Sequence, residues 1–217
     1  MVTQKGGSGK TTLAMCLAVA AWEAGERIFL IDMDPQRSLT RCCQRRTDNV
    51  LPIEAVSAAN LPEALAILEQ RGVTLVIIDT PASDSPVTDA AIRAASLCLI
   101  PVRPTIFDIW ASEVTRQKIK IAAKPFSFVL NQCAAAQYGK RLLDSVASLE
   151  QVGGLIQPFI VSRIAYQEAM LHAQGPTEFE PAGKAAEEVR ALWNSLARRL
   201  GTLHEQRFSV WQKLGAL

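Results

Sequence analysis

The sequence predicts an α/β protein: a doubly wound, mostly parallel sheet with helices on both faces. Three observations carry that expectation. Short apolar runs recur as unbroken stretches rather than alternating ones, as strands buried on both faces require. Helical stretches of ten or more residues separate these runs, long enough for the crossovers between parallel strands. A glycine-rich turn also opens the first helical stretch, at the kind of strand–helix junction where such sheets bind ligands.

The elements follow in order. Residues 10–24 read as the first helix, and residues 27–33 (RIFLIDM) as the first complete strand. A helix over 61–71 precedes a strand over 73–79 (VTLVIID). The run 97–102 (LCLIPV) reads as a strand, 109–123 as a helix and 125–131 (PFSFVLN) as a strand. A helix over 140–151, a weaker strand over 155–161 and a helix over 163–173 come next. Gly175-Pro176 and Pro181-Ala182-Gly183 mark loops before a final helix over 184–200. Gly201 is placed to end that helix, and Thr202 to cap a last short one. Only Met1, Val2 and Thr3 precede the glycine-rich loop, although such a loop usually follows a strand of about five or six residues. Two readings stand: an unusually short first strand, or a start inside a longer chain.

A chain of 217 residues fits one domain, 1–217. Its net charge of +2 excludes a polycation, so any nucleic-acid contact is expected from a local patch. The uncharged stretch over 11–22 is 12 residues long, short of the roughly 18 that a membrane span needs. No leader is expected before Lys5, and a cytoplasmic location is expected. The five cysteines form no C-x-x-C pair and there are only two histidines, so a structural zinc site is not expected. Reduced thiols are, with Cys16 and Cys98 as small core residues.

Gln4-Lys5-Gly6-Gly7-Ser8-Gly9-Lys10-Thr11-Thr12 dominates the sequence. Gly9-Lys10-Thr11 closes the phosphate-loop pattern G-x-x-x-x-G-K-[ST], with Gln4 where the first glycine belongs. Gly6, Gly7 and Gly9 let backbone N–H groups around Ser8 converge on phosphate oxygens. The helix beginning near Lys10, with Thr11 and Thr12 in its first turn, points its positive end at the same anion. Lys10 would bridge the β- and γ-phosphates of ATP, and the Thr11 hydroxyl would hold Mg²⁺. This is a P-loop NTPase signature. Asp79 ends an apolar strand, which places a carboxylate at the edge where the metal is expected. Asp32 could order the magnesium shell; capping the next helix, with Pro35 at its first position, is the alternative for Asp32 and Asp34. Asn131 ends another strand, and its amide offers a donor and an acceptor suited to an adenine edge; a plain strand-end turn is the alternative. Pro158 and Phe159 could pack on the adenine ring. Arg163 could reach the nucleotide, a partner subunit or a surface carboxylate.

The run K-G-G-x-G-K-T resembles the deviant phosphate loop of the ParA/MinD ATPases, whose additional signature lysine falls on Lys5. Leu30-Ile31-Asp32-Met33-Asp34-Pro35-Gln36 resembles that family's D-x-D-P-Q segment, and Val76-Ile77-Ile78-Asp79-Thr80-Pro81 its Walker B strand. Ile100-Pro101-Val102-Arg103-Pro104 and the run from Arg163 to Ala169 resemble segments of the small ParA proteins. The resemblance implies that Lys5 reaches a partner's nucleotide and that Asp34 positions the attacking water. It implies an Asn contact to the base at Asn131. It also implies slow, partner-stimulated hydrolysis of ATP to ADP, an ATP-dependent homodimer, a ParB-like adaptor and a role in partitioning or positioning large cargo.

The segment 184–217 carries six basic residues, Lys184, Arg190, Arg198, Arg199, Arg207 and Lys213, against three acidic ones. Such a patch suits nonspecific DNA contact, with Arg190, Arg198 and Arg199 as the candidates and a nucleoid-associated location. The rival is a MinD-like membrane helix: Phe208, Trp211 and Leu214 recur every three residues beside Arg207 and Lys213. The tail is short for that role, and a membrane partner is not the expectation. A metabolic enzyme on the same fold is the third class. A reductase of that kind would want cysteine ligands between subunits, and a synthetase would want a second substrate motif.

Overall fold

The computed structural model describes residues 1–134 and 139–214, with only the backbone of residues 140, 141 and 205–214. The glycine-rich loop runs straight into α1 (Lys10–Glu23). Then follow β1 (Ile28–Asp32), α2 (Ser38–Cys43), β2 (Ile53–Ala55), α3 (Leu61–Gln70), β3 (Leu75–Asp79), α4 (Pro86–Ala94) and β4 (Cys98–Val102). The second half holds α5 (Ile106–Ile121), β5 (Phe126–Leu130), α6 (Lys140–Val152), β6 (Leu155–Ile156), α7 (Ile164–Leu171), α8 (Pro176–Phe179) and α9 (Lys184–Leu214).

The strands form two parallel three-stranded sheets, in the orders β2-β1-β3 and β4-β5-β6. Residues 1–3 join them. The Met1 amine donates to the Ile78 carbonyl (2.7 Å), Val2 N–H to the Leu99 carbonyl (2.9 Å) and the Thr80 hydroxyl to the Met1 carbonyl (2.7 Å). The phosphate loop therefore leaves the sheet between β3 and β4, where the two halves of the strand order meet. Ligands bind open α/β sheets at such a switch point. The register Asp32↔Asp79 aligns two carboxylates on that edge.

Side-chain alternation along each strand divides the core. Ile28, Leu30 and Val129 pack with Leu17, Val189, Leu192 and Leu196 of α1 and α9. Ile31 turns to the other face, against Leu61, Leu68 and Ala91. Ile100, Phe128 and Leu130 meet Ile92, Ile119 and Leu149 on α4, α5 and α6. The helix α1 is buried all round, because the sheet lies on one side and α8 and α9 on the other. Its alanines and Cys16 suit that close approach. Cys16, Cys43, Cys98 and Cys133 are buried and all five thiols are free. Burial pushes Cys98 and Cys133 up to about 11 and Cys43 up to about 12, so these are packing groups rather than nucleophiles.

Three expectations need correction. The final helix does not stop at Gly201. It continues to Leu214, and Gly201 lacks the left-handed backbone that a glycine helix end adopts. Open space surrounds Gly201, so nothing forces a turn there. The strand expected over 155–161 is regular only at Leu155 and Ile156, since Pro158 has no N–H to give the ladder. The chain then rejoins β5: Ile160 N–H donates to the Leu130 carbonyl and Cys133 N–H to the Ile160 carbonyl, both at 2.9 Å. Finally, α2, β2, α4 and α8 were not expected.

Candidate nucleotide site

Gly7 and Gly9 adopt left-handed backbone, with φ of 72° and 87°. Gly9 is the N-cap of α1 and offers no side-chain cap, so the free N–H groups of the first turn face the loop's concavity. A Cβ on Gly9 would fall 2.3 Å from Asn131 Nδ2. Gly9→Ala is therefore expected to lower unfolding free energy by about 2–4 kcal/mol, through strained backbone and overpacking. Denaturant melts of the two proteins measure this, and an unchanged midpoint would show the contact to be soft.

Lys10 is 7 % exposed and makes no ion pair among the described residues. Burial holds its pKa below the usual lysine range, while the Asp79 and Asp34 carboxylates oppose that shift. A buried ammonium without a close counter-ion is the complement of a phosphate. The Ser8 hydroxyl is also buried without a hydrogen-bond partner among the described residues.

The Thr11 hydroxyl donates to Asp79 Oδ2 at 2.6 Å, and Thr80 N–H donates to the other oxygen at 3.1 Å. Asp79 is 1 % exposed. Burial raises its pKa, and the Thr11 hydrogen bond opposes the rise. A hydroxyl and a carboxylate already within bonding distance at the loop are hard oxygen donors that fit Mg²⁺. Asp32, expected to order the magnesium shell, is hydrogen-bonded to the scaffold. Its Oδ2 accepts from Thr40 N–H (2.9 Å) and the Thr40 hydroxyl (2.8 Å), and its Oδ1 accepts from Asp34 N–H (3.0 Å). These three bonds tie β1 to α2 and to the Asp34 turn, but α2 begins at Ser38 with Arg37 as its N-cap, so the capping alternative with Pro35 at the first helical position does not hold. Asp34 is half-buried and accepts from Gln36 N–H through Oδ1 (2.9 Å), so it sits at a tight turn beside the loop. Arg37, in left-handed backbone, braces this turn by donating to the Asp32 carbonyl at 3.1 Å.

Lys5 does not fold into its own loop. Its ammonium lies 3.8 Å from Asp108 Oδ1, and its side chain is 42 % exposed. Asp108, buried in the first turn of α5, also accepts from Arg103, through Nε and through Nη2 at 3.2 Å. Sequence reasoning missed Asp108, because a contact across about a hundred residues leaves no local pattern.

Beside the loop lies a cavity of about 220 Å³, lined in part by Gly9, Thr12, Asn131, Gln132, Arg163 and Tyr166. Asn131 lines it, yet both ends of its amide have partners. Nδ2 donates to the Ser8 carbonyl (2.8 Å) and Oδ1 accepts from Gln132 N–H (2.9 Å). Pro158 does not line this cavity, and Phe159 packs in the core with Phe128 and Leu130. Arg163 is held by Glu188, with Nε–Oε1 of 3.0 Å and Nη2–Oε1 of 2.5 Å, so its guanidinium pairs within its own chain.

On α9, Arg198 and Arg199 are exposed. Arg190 is pinned: it donates to the Pro181 carbonyl (2.6 Å) and the Thr177 carbonyl (3.3 Å) and lies 3.8 Å from Glu23. It reads as a brace between α9 and α8. The side chains of Phe208, Trp211 and Leu214 lie outside the described residues. Among the described residues, no helix is long and apolar enough to cross a membrane.

Residues 1–176 match the family described as the CobQ/CobB/MinD/ParA nucleotide binding domain. The chain belongs to that family. Among curated relatives of this ParA/MinD-type ATPase domain, maintenance of carboxysome distribution protein A from Gloeobacter kilaueensis is 29 % identical over 198 residues, 90 % of each chain. Protein ParA from Rhizobium radiobacter is 26 % identical over 178 residues, 76 % of this chain and 78 % of its own. The solved MinD of Pyrococcus horikoshii, complexed with Mg-ADP, superimposes with a TM-score of 0.73 at 18 % identity, covering 93 % of this chain and 96 % of that one. That last likeness is one of fold.

Proposed function

We propose that this chain is a single-domain, ParA-like Mg²⁺-dependent ATPase. Two copies close on ATP, bind DNA nonspecifically in that state and part on hydrolysis, so moving or positioning a large cargo. The observation that carries this reading is the pair of lysines. Lys10 is buried at its own loop, whereas the Lys5 side chain is 42 % exposed, with its ammonium 3.8 Å from Asp108 Oδ1 on α5. A second cation brought to the phosphates from a partner would neutralise charge developing in phosphoryl transfer. The relatives named for carboxysome distribution and as ParA support the cargo-positioning part.

In this reading Gly6, Gly7, Ser8 and Gly9 cradle the phosphates with their N–H groups, and Lys10 and the first turn of α1, with Thr11 and Thr12, supply positive potential. Thr11 and Asp79 would hold Mg²⁺, which supplies charge neutralisation at the phosphate oxygens. Asp34 orients the attacking water, and a ParB-like adaptor accelerates the step. Arg198 and Arg199 meet DNA phosphates, which places the ATP-bound form on the nucleoid in the cytoplasm.

The test is specific activity against protein concentration. Turnover per subunit should rise with concentration and level off once dimers form; a constant value from nanomolar to micromolar would contradict the two-subunit site. A DNA shift assay beside liposome co-sedimentation separates DNA from a membrane as the surface bound. ATP-dependent retention on DNA, weakening with salt, is the expected result.

A further inference from the structure

Two successive carbonyls of the phosphate loop are held from one strand end. Where β5 finishes, Asn131 Nδ2 donates to the Ser8 carbonyl at 2.8 Å, and Gln132 Nε2 donates to the Gly7 carbonyl at 2.9 Å. The two side chains are linked, since Gln132 N–H donates to Asn131 Oδ1 at 2.9 Å. Gln132 reaches this position in left-handed backbone, φ 56°, a conformation that a non-glycine residue adopts only under local constraint. It also lines the cavity beside the loop.

A trans peptide is planar, so its N–H points opposite to its C=O. Fixing the Gly7 carbonyl therefore aims the Ser8 N–H, and fixing the Ser8 carbonyl aims the Gly9 N–H. Gly7 and Gly9 are free to rotate on their own, and no other side chain restrains those two carbonyls among the described residues. We propose that Gln132 is a positioning residue: with Asn131 it presets two loop N–H groups for the phosphates before nucleotide arrives. This rests on the reading of the loop as a nucleotide site. Orientation supplied in advance lowers the ordering cost of binding, so its loss should weaken affinity more than turnover at saturation.

The experiment compares Gln132→Glu and Gln132→Gly with the unmodified protein. Glutamate keeps the shape but replaces the donor by a carboxylate facing the Gly7 carbonyl. Glycine removes the donor while relieving the backbone. ADP binding with Mg²⁺ is measured by calorimetry, kcat and KM for ATP by phosphate release, and apo melting by circular dichroism. Both variants should bind ADP on the order of tenfold more weakly, the loss of one hydrogen bond's worth of preorganisation. KM should rise in step while kcat stays within about twofold and Gln132→Gly melts like the parent. Parental ADP affinity in Gln132→Glu would overturn the proposal. So would parental affinity in Gln132→Gly, which would mean that any weakening in Gln132→Glu comes from its added carboxylate beside the phosphates and not from loss of the amide. If the unmodified protein itself binds no ADP, the nucleotide reading fails rather than the positioning step alone.

Discussion

Lys10→Ala is expected to weaken ATP binding by about 100-fold or more, the cost of leaving a buried phosphate without its charge partner. The same substitution should not destabilise the nucleotide-free protein. Burial already holds the Lys10 pKa below its usual range, so the apo fold carries a desolvated cation with no close counter-ion among the described residues. Removing it relieves that cost, and the apo melting midpoint should hold or rise. Thr11→Ala should behave in the opposite way. It takes from Asp79 its 2.6 Å hydrogen bond, leaves a buried carboxylate less well satisfied and costs about 1 kcal/mol of apo stability. Its ATP affinity should fall chiefly in the presence of Mg²⁺. Calorimetry with and without Mg²⁺, beside thermal melts, reads both effects. Unchanged ATP affinity in Lys10→Ala would contradict the phosphate-cradle reading.

The second large effect separates Lys5 from Asp34. The Lys5 side chain is 42 % exposed and its ion-pair partner among the described residues is 3.8 Å away, so Lys5→Ala should leave folding and ATP binding near the parental values. If the side chain serves a partner's nucleotide, turnover should fall by about 10³-fold, the scale of a cation inserted across an interface. The ATP-dependent dimer should weaken too. Asp34→Ala should lose turnover while still dimerising with ATP, because that carboxylate serves the water. It should stay in the bound state. Light scattering with ATP distinguishes a variant that no longer associates from one that no longer separates.

What was legible in the sequence follows from what is local. β1, β3, β4 and β5 stood out because strands covered on both faces are continuously apolar. β2 did not: Ile53–Ala55 is three residues at the sheet's edge with two of them exposed. α2 begins after Arg37 in left-handed backbone with no side-chain cap, so no start signal exists. α4 does carry one, since Ser85 accepts from Thr88 N–H and Pro86 follows at the first position. That Ser-Pro signal is local and readable in the sequence. Gly201 misled in the other direction. A glycine inside a helix costs only about 1 kcal/mol, and Leu192, Trp193 and Leu196 anchor α9 firmly upstream.

The same division runs through the site. Glycines, lysine and threonine in one loop announce their chemistry by spacing alone. The Thr11–Asp79 contact follows once β3 is placed. Asp32 and Asn131 each carry two readings in the sequence, a ligand contact or a structural role, and the structure shows their scaffold bonds: Asp32 with Thr40 and the Asp34 turn, Asn131 with the Ser8 carbonyl. Asp108 and Gln132 meet the loop across more than a hundred residues of chain, and residue type alone marks neither.

The central claim is that each site is built from two copies, and mixing two defective copies tests it most directly. Lys5→Ala keeps its own Lys10, and Lys10→Ala keeps the Lys5 that it would lend to a partner. Each should be inactive alone. Mixed in equal amounts at saturating ATP, they should form heterodimers with one complete site, and ATP hydrolysis should rise well above the sum of the two variants measured alone. If the mixture stays inactive while tagged copies of the two variants co-purify in ATP, then Lys5 serves its own subunit, and the two-subunit account is wrong.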